Sequence, residues 1–441
     1  MDDLRSKAIE IVRTLQQHGH QAVFAGGCVR DMLMGHEPAD YDIATDATPA
    51  EVTGLFAKTV AVGAAFGVVR VVADSHDFEV ATFRTESGYL DHRHPEMVEF
   101  SDARNDVMRR DFTINAILYD PVAGRLMDYV GGERDIRAGI VRTVGEPADR
   151  FEEDYLRMIR AVRFAARFGY RIEEATMGAI RQRAEMIARV SRERIGQEIL
   201  KIFGGPNPRA GLQLLSDTGL LAHVLPEVEA MKGVEQPANF HPEGDVFQHA
   251  LLALEKMGQP RSPEFAMAVL LHDVGKPPTF QRTPDRIRFS NHTEVGAELA
   301  YQIAERLRFS NEQADYVALL VRDHMRFMNV RGMRESTLKR FLRSRHFEDL
   351  LELHRADCQA SHGDLSGYDF CREKLHEFGR EKIAPPRLLS GTDLIELGYE
   401  PGPLFKEILS QVEDAQLEGK IGTRDEAVRF VEERFPQRVH E

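Results

Sequence analysis

Residues 23–31 read Val23-Phe24-Ala25-Gly26-Gly27-Cys28-Val29-Arg30-Asp31, and residues 40–45 read Asp40-Tyr41-Asp42-Ile43-Ala44-Thr45. The first stretch is a short apolar run that stops at two glycines. Met32 and Leu33 then continue an apolar period, which predicts strand, tight turn and helix. Glycines at that junction let the backbone approach a phosphate, and a helix N-terminus offers N–H groups. Arg30 adds a cation one turn in. By itself the Gly26-Gly27 turn reads equally well as a plain strand-to-helix connection. The second stretch says more. Side chains at i and i+2 of a strand share a face, so Asp40 and Asp42 converge. Two carboxylates at one spot are costly unless a cation neutralises them, and a divalent ion is the usual solution. A solvated Asp-rich turn is the competing reading, but Ile43 and Ala44 follow directly and argue for a partly buried strand. Glu79, between Phe78 and Val80, is a third acid on the same small sheet. Three such acids suggest a two-metal phosphoryl-transfer centre.

Working outward, Val68–Val72 and Phe78–Phe83 are β-like runs separated by Asp74-Ser75-His76. Phe112–Tyr119, a Pro121…Gly124 turn and Leu126–Val130 read as another hairpin. A helix at each end completes an α/β head with a small mixed sheet over residues 1–145. After Pro147 nearly every segment carries helical period, beginning with Leu156-Ile159-Val162-Ala166. Gly204-Gly205-Pro206, Gly258–Pro263, Pro277-Pro278 and Pro385-Pro386 punctuate it. The expected division is a helical neck at 146–210, a helical body at 211–370 and a helical tail at 371–441.

Composition excludes several classes. The 441 residues are 42% hydrophobic and 29% charged, as in an ordinary globular chain. No apolar run reaches the roughly 18–20 residues that span a bilayer, which argues against a membrane protein. Met1-Asp2-Asp3-Leu4-Arg5 offers neither a basic nor an apolar leader region, so no secretory signal is expected. Cys28, Cys358 and Cys371 are too few and too scattered for a disulfide framework, which predicts a cytoplasmic setting. With 57 basic against 71 acidic residues the net charge is −14. An RNA partner must therefore meet a local basic surface. Arg167, Arg171, Arg181, Arg183, Arg192 and Arg194 are candidates, although helix solubility accounts for such residues equally well.

Gly26-Gly27-X-Val29-Arg30-Asp31 followed by Asp40-X-Asp42-Ile43-Ala44-Thr45 resembles the signature of polymerase-beta-type nucleotidyltransferases. More narrowly, it resembles the class II tRNA nucleotidyltransferase and bacterial poly(A) polymerase family. Arg109-Arg110-Asp111-Phe112-Thr113-Ile114-Asn115-Ala116 is similar to that family's second motif and Gly131-Gly132-Glu133-Arg134-Asp135-Ile136 to its third. Glu153-Asp154-X-X-Arg157 resembles its nucleotide-selecting motif, and Ser191-Arg192-Glu193-Arg194-Ile195 the last neck motif. The resemblance covers about the first 200 residues. It implies that Asp40 and Asp42 hold two Mg²⁺ ions, which bridge nucleotide phosphates and activate an RNA 3′-hydroxyl for in-line attack on the α-phosphorus, with pyrophosphate leaving. It further implies that Gly26, Gly27 and Arg30 grip the triphosphate and that Arg110 contacts phosphate or ribose. Asp111 lies near the sugar, and Glu79 serves as a third metal-side or orienting acid.

In the neck, Asp154, Arg157, Arg160 and Arg163 recur at intervals of three and share a broad helix face. A solvated, ion-paired row is the commoner meaning of such spacing. The resemblance makes it a base-reading site instead. An Asp accepts from an exocyclic amino group while an Arg donates to the neighbouring ring nitrogen, which suits cytosine and adenine. Uracil and guanine would bury unpaired groups there. CTP and ATP are thus the expected nucleotides and tRNA the expected acceptor, with no nucleic-acid template. Family members add CCA, only CC, only A, or poly(A). The stretch 86–96 resembles a loop absent from CC-only enzymes, while His94 leaves A-only addition open.

His249, the pair His272-Asp273 after the apolar run 265–271, and Asp357 are spaced through helical sequence, with His292 and His324 between them. A lone helical His is usually not a ligand, but His and carboxylate together suit a divalent transition metal. The pattern resembles HD-type phosphohydrolases. That implies His249, His272, Asp273 and Asp357 as ligands, with His292 and His324 completing a second metal position. Gly391-Thr392-Asp393-Leu394 and Pro401-Gly402-Pro403 resemble a tRNA-contacting tail. Two other classes stay open: mainly a metal-dependent phosphatase or phosphodiesterase, and a noncatalytic RNA-binding protein. The intact acids argue against both.

Overall fold

The computed structural model describes residues 2–60, 67–74, 76–87, 97–237, 241–259 and 261–436. Of the expected loop at 86–96, residues 88–96 lie outside them. The chain forms two compact units. The first is Met1–Ala230 with Gln259–Pro263 and Ile303–Ser310; the second is Met231–Gly258, Glu264–Gln302 and Asn311–Glu441.

The first unit opens with α1 (Asp2–Gln17), β1 (Ala22–Ala25), α2 (Gly27–Leu33), β2 (Ile43–Thr45), α3 (Pro49–Leu55), β3 (Thr59–Val60), β4 (Val68–Ala73) and β5 (His76–Thr82). A separate antiparallel pair follows, β6 (Arg84–Ser87) and β7 (Met97–Phe100), then α4 (Ala103–Met108), β8 (Ile117–Asp120), β9 (Arg125–Asp128) and α5 (Gly132–Ala138). Seven strands make one mixed sheet in the order β3-β4-β5-β2-β1-β8-β9, with β2 and β5 parallel and the other neighbours antiparallel. Val23, Ala25, Ala44, Phe83, Val107 and Leu118 bury one face.

Two strand expectations need correction. Asp40 and Asp42 precede β2 rather than sit within it, because the partner strand β1 ends where Gly26 turns the chain away. The ladder nonetheless reaches Asp42, whose carbonyl accepts from the Ala25 N–H at 3.0 Å. The alternation survives: Tyr41 is buried while Asp40 and Asp42 are exposed on the same side. The run Phe112–Tyr119 is not one strand either. Thr113–Asn115 is a 3-10 turn, since the Thr113 N–H is taken by the Arg142 carbonyl and only Ile117–Asp120 pairs with β9.

The neck is α6 (Pro147–Glu153), α7 (Leu156–Phe168), α8 (Glu174–Arg183) and α9 (Arg192–Phe203). Leu156, Ile159, Val162 and Ala166 form α7's buried stripe, as their spacing predicts. Asp154 is not on that helix. Its backbone is extended, and its side chain caps α7 by accepting from the Leu156 N–H at 3.0 Å.

In the second unit, helices Val246–Lys256, Pro263–Leu271, Asn311–Asp323 and Phe347–Ala360 carry the histidines and acids of interest or pack around them. The tail has its own core of Leu389, Leu394, Ile408, Val412, Ile421, Ala427 and Val431. Within it Asp393 closes a capping box with Ser390 and pairs with Arg424 at 2.7 Å, so that residue of the tail motif has a structural role. Arg340 ties the tail to helix Glu335–Leu342 by bonds to Glu413 and Asp414 at 2.8 and 2.6 Å.

Candidate active site

A cavity of about 330 Å³ opens in the first unit, lined by Gly26, Gly27, Asp42, Arg109, Arg110, Asp111, Asn115, Asp154, Arg157 and Arg160. Gly26 has φ +76°, and a Cβ there would lie 3.1 Å from Arg110 Nη1 and 3.6 Å from Asp42 Oδ2. Glycine is thus needed for the backbone and for space. Continuing the β2–β5 register (Ile43 opposite Val80) sets Glu79 beside Asp42. Asp42 keeps contact with solvent, but desolvation of its carboxyl at the cavity wall, then the charges of Asp40 and Glu79, raise it to about 6 against the opposing Arg110. Negative charge crowded around the Asp42 carboxyl is what a cation would relieve. Asp40 and Glu79 do not line the cavity, and Glu79 faces Arg70 at 3.7 Å.

Arginines enter the cavity from a fixed base. Asp106, 2% exposed, accepts from Arg109 Nη2 at 2.6 Å and from Arg110 Nη2 at 3.0 Å. Burial pushes its carboxyl up, but the two guanidiniums prevail and hold it below the ordinary value. Asp111 is likewise held low, despite burial, by Arg160, whose Nε donates to it at 2.9 Å, and by Asn115 at 3.1 Å. Asn115 and Arg109 were visible only as letters of a motif. Asn115 becomes a lining residue because the 3-10 turn folds it back onto Asp111.

The four-residue neck row divides. Asp154, Arg157 and Arg160 line the cavity; Arg163 instead pairs with buried Glu198 at 2.6 Å and stacks on Phe164. Arg157 is braced by Glu153 and by the Arg150 carbonyl at 3.1 Å. Asp154 is gripped by Arg194 from α9, through Nη1 at 3.2 Å and Nη2 at 2.6 Å. With the Leu156 N–H, this fork gives Oδ1 two donors and Oδ2 one, so Oδ2 keeps an open acceptor position. The expected triphosphate grip of Arg30 is not what the fold builds. Arg30 is 5% exposed, donates to Asp31 and, at 2.6 Å, to Asn115, and lies 4.8 Å from the Phe168 ring centre. It acts under the cavity floor, because α2 turns its side chain toward α7.

The second unit gathers a different set. Ligand atoms of His249, His272 and Asp357 lie within 4.8 Å of one another, as do those of Asp273, His292 and His324. His241, Glu243 and His249 form a third such group that sequence reasoning missed. The Nδ1 atoms of His272, His292 and His324 donate to the carbonyls of Val269, Phe289 and Val321 at 2.8, 2.9 and 2.7 Å. His249 Nδ1 donates to Glu243 at 2.7 Å. Every Nε2 is thereby turned inward, the second-layer pattern of metal ligands. His249 and His272 Nε2 face each other at 3.1 Å, a repulsion between lone pairs unless a proton or metal lies between them. Burial lowers the His249 pKa, but Asp357, whose Oδ1 is 3.1 Å away, and Glu243 overrule it and push it up to about 9. Burial and the neighbouring His272 bring His324 down to about 3. These residues fit divalent metal.

The fold and the two sites define a class: a nucleotidyltransferase head and neck joined to an HD-type metal domain. Family models agree, matching "Poly A polymerase head domain" over residues 22–142, "Probable RNA and SrmB- binding site of polymerase A" over 169–232 and "HD domain" over 245–352. The CCA-adding enzyme of Geobacillus sp. (strain WCH70) is 47% identical over 219 residues, 49% of this chain and 54% of that protein. The Bacillus licheniformis CCA-adding enzyme is 43% identical over 233 residues, covering 53% and 58%. The chain thus spans about half the length of the curated relatives it matches. Among solved structures, the Bacillus stearothermophilus CCA-adding enzyme in complex with CTP superposes with TM-score 0.75 and 28% identity, covering 98% of both chains. The Thermotoga maritima CCA-adding enzyme complexed with tRNA shares the fold, with TM-score 0.63 and 19% identity over 97% and 94%. The chain thus carries the head, RNA-binding and HD segments that those models describe, and about half of it is similar in sequence to CCA-adding enzymes.

Proposed function

We propose that the chain adds CCA, or its terminal A, to tRNA 3′ ends from CTP and ATP without a nucleic-acid template. The observation that carries this is the joining of Asp42, Asp111, Asp154 and Arg157 around one 330 Å³ cavity. Asp40, Asp42 and Glu79 would hold Mg²⁺, whose charge, when bound, offsets that of a triphosphate. Gly26 and Gly27 give phosphate close access to backbone, and Arg109, Arg110 and Arg160 supply neutralising donors. Asp154 accepts from an exocyclic amine and Arg157 donates to the ring nitrogen. Arg30 and Arg163 support this site from behind.

The division into head, neck, body and tail at 145, 210 and 370 is kept as a division of labour, with the tail offered to tRNA. The relatives named as CCA-adding enzymes favour that product over A-only or poly(A) addition. Among the described residues no helix is long and apolar enough to cross a membrane, and all three cysteines are free, which supports a cytoplasmic reading. The ligand geometry of the second unit supports an accompanying divalent-metal phosphohydrolase activity.

The deciding experiment offers each NTP singly to tRNAs lacking CCA, lacking only A, or complete. Stepwise C, C and A addition is expected. Addition to the complete tRNA would instead favour poly(A) synthesis. Asp42→Ala should abolish every extension while phosphatase activity persists, and substantial Mg²⁺-dependent extension by that variant would refute the head assignment.

A further inference from the structure

Asp111, near which the sugar is expected, has no room for another hydrogen bond. Its Oδ1 accepts from the Phe112 N–H at 2.8 Å and from Asn115 Nδ2 at 3.1 Å. Its Oδ2 accepts from Arg160 Nε at 2.9 Å and from Arg160 Nη2 at 2.5 Å. A carboxylate has about four acceptor positions, so a sugar hydroxyl would donate to Asp111 only by displacing one of these donors. Two of them belong to a guanidinium, whose charged fork a single neutral hydroxyl does not match.

Asn115 is placed differently. It lines the cavity and is 8% exposed. Its Oδ1 accepts from Arg30 Nη1 at 2.6 Å. A guanidinium only donates, so the amide cannot flip, and Nδ2 stays turned toward Asp111. Arg30 is itself held, through Nε on Asp31 at 2.9 Å and against the rings of Phe164 and Phe168. One amide hydrogen of Asn115 goes to Asp111, and the other has no acceptor among the described residues. A fixed N–H thus stands at the cavity wall beside a carboxylate that takes nothing more. Its partner must accept. A phosphate oxygen there would set negative charge against Asp111, and the base is claimed by Asp154 and Arg157. A ribose hydroxyl is neutral and accepts.

We propose that Asn115 Nδ2, fixed by Arg30 through the amide oxygen, donates to a ribose hydroxyl of the incoming nucleotide and so selects ribose over its deoxy forms. The proposal rests on the reading of this cavity as the nucleotide site.

The test measures kcat/KM of the full chain for adding ATP, 2′-deoxyATP or 3′-deoxyATP to a tRNA that lacks only the terminal A. In wild type at least one deoxy analogue should be about tenfold poorer than ATP, the size of one lost hydrogen bond. Discrimination against 2′-deoxyATP marks O2′ as the contact, and discrimination against 3′-deoxyATP marks O3′; either supports the assignment. Asn115→Leu, which keeps the side-chain volume, and Asn115→Ala as a second variant should each bring that preference down about tenfold, to near unity. Arg30→Met should lower it in the same direction, and Arg30→Lys, which still donates to the amide oxygen, should recover part of it. Equal losses with all three nucleotides in both Asn115 variants are what a merely structural role gives, and they overturn the contact. So does a preference that survives in these variants and collapses only in Asp111→Asn, which returns the sugar to Asp111. Equal use of all three nucleotides by wild type overturns the contact and leaves the nucleotide reading intact. A wild-type chain that adds no ATP overturns both.

Discussion

Asp106 touches no substrate position, yet both cavity arginines of the second head motif hang from it. Breaking a buried ion pair by removing one partner costs about 3–5 kcal/mol. The neutral isostere Asp106→Asn should therefore lower stability by about 3 kcal/mol at neutral pH and raise the KM for nucleotide. The pH dependence has a definite sign. Because its carboxyl is held below the ordinary 3.8, the contribution is fully present above that value and is lost as pH falls through the lower folded value. Chemical unfolding of wild type and variant should show a gap that is constant from pH 7 to about 4 and closes below. Asp154 allows a sharper test. Asp154→Asn adds an NH₂ able to donate to O4 of uracil or O6 of guanine, so misincorporation should rise by about one to two orders of magnitude relative to CTP and ATP. The readout is kcat/KM for all four nucleotides on one acceptor. An unchanged ratio would place base reading elsewhere.

Elements set these side chains in place, and this is where legibility from sequence varied. Glu79 was legible because period-2 alternation in β5 is local: Phe78 and Val80 are buried and Glu79 is not. The gathering of His249, His272, Asp273, His292, His324 and Asp357 was legible only through the resemblance to HD-type phosphohydrolases, since positions so far apart in the chain carry no local period. Asp154 was misplaced because an interval of three does not reveal that α6 stops one residue earlier and α7 begins two later. Arg30 was misjudged because the direction of its side chain depends on Asn115, Phe164 and Phe168, which lie far along the chain. Arg194 is the element-scale counterpart of Asp154, fixing from α9 the angle of the carboxylate. Arg194→Met should loosen base choice in the same direction as Asp154→Asn, and Arg194→Lys should recover little of it, since one ammonium cannot reproduce the fork. At the start of α5, a Cβ on Gly132 would lie 2.1 Å from the Thr113 carbonyl. Gly132→Ala must shift the 3-10 turn that carries Asn115. It should cost at least about 2 kcal/mol in thermal unfolding and weaken nucleotide binding.

At the scale of the whole molecule, the two centres occupy separate compact units and answer to different chemistry: carboxylates and arginines in one, imidazoles in the other. The second unit gives a quantitative handle. His249, pushed up to about 9, carries a proton at neutral pH, whereas a ligating imidazole must be neutral. Metal uptake by the apo chain at pH 7.5 should therefore release about one proton, measured by calorimetry in buffers of different ionisation enthalpy. His249→Gln should remove that release, and no buffer dependence in wild type would contradict the geometry. The Asp154–Arg194 fork has a consequence of another kind. If the order of a tRNA's last letters is held in lone pairs and N–H bonds of a protein neck, that fragment of RNA sequence is inherited through codons for aspartate and arginine. A single point change in the gene would then alter the ending of every tRNA at once.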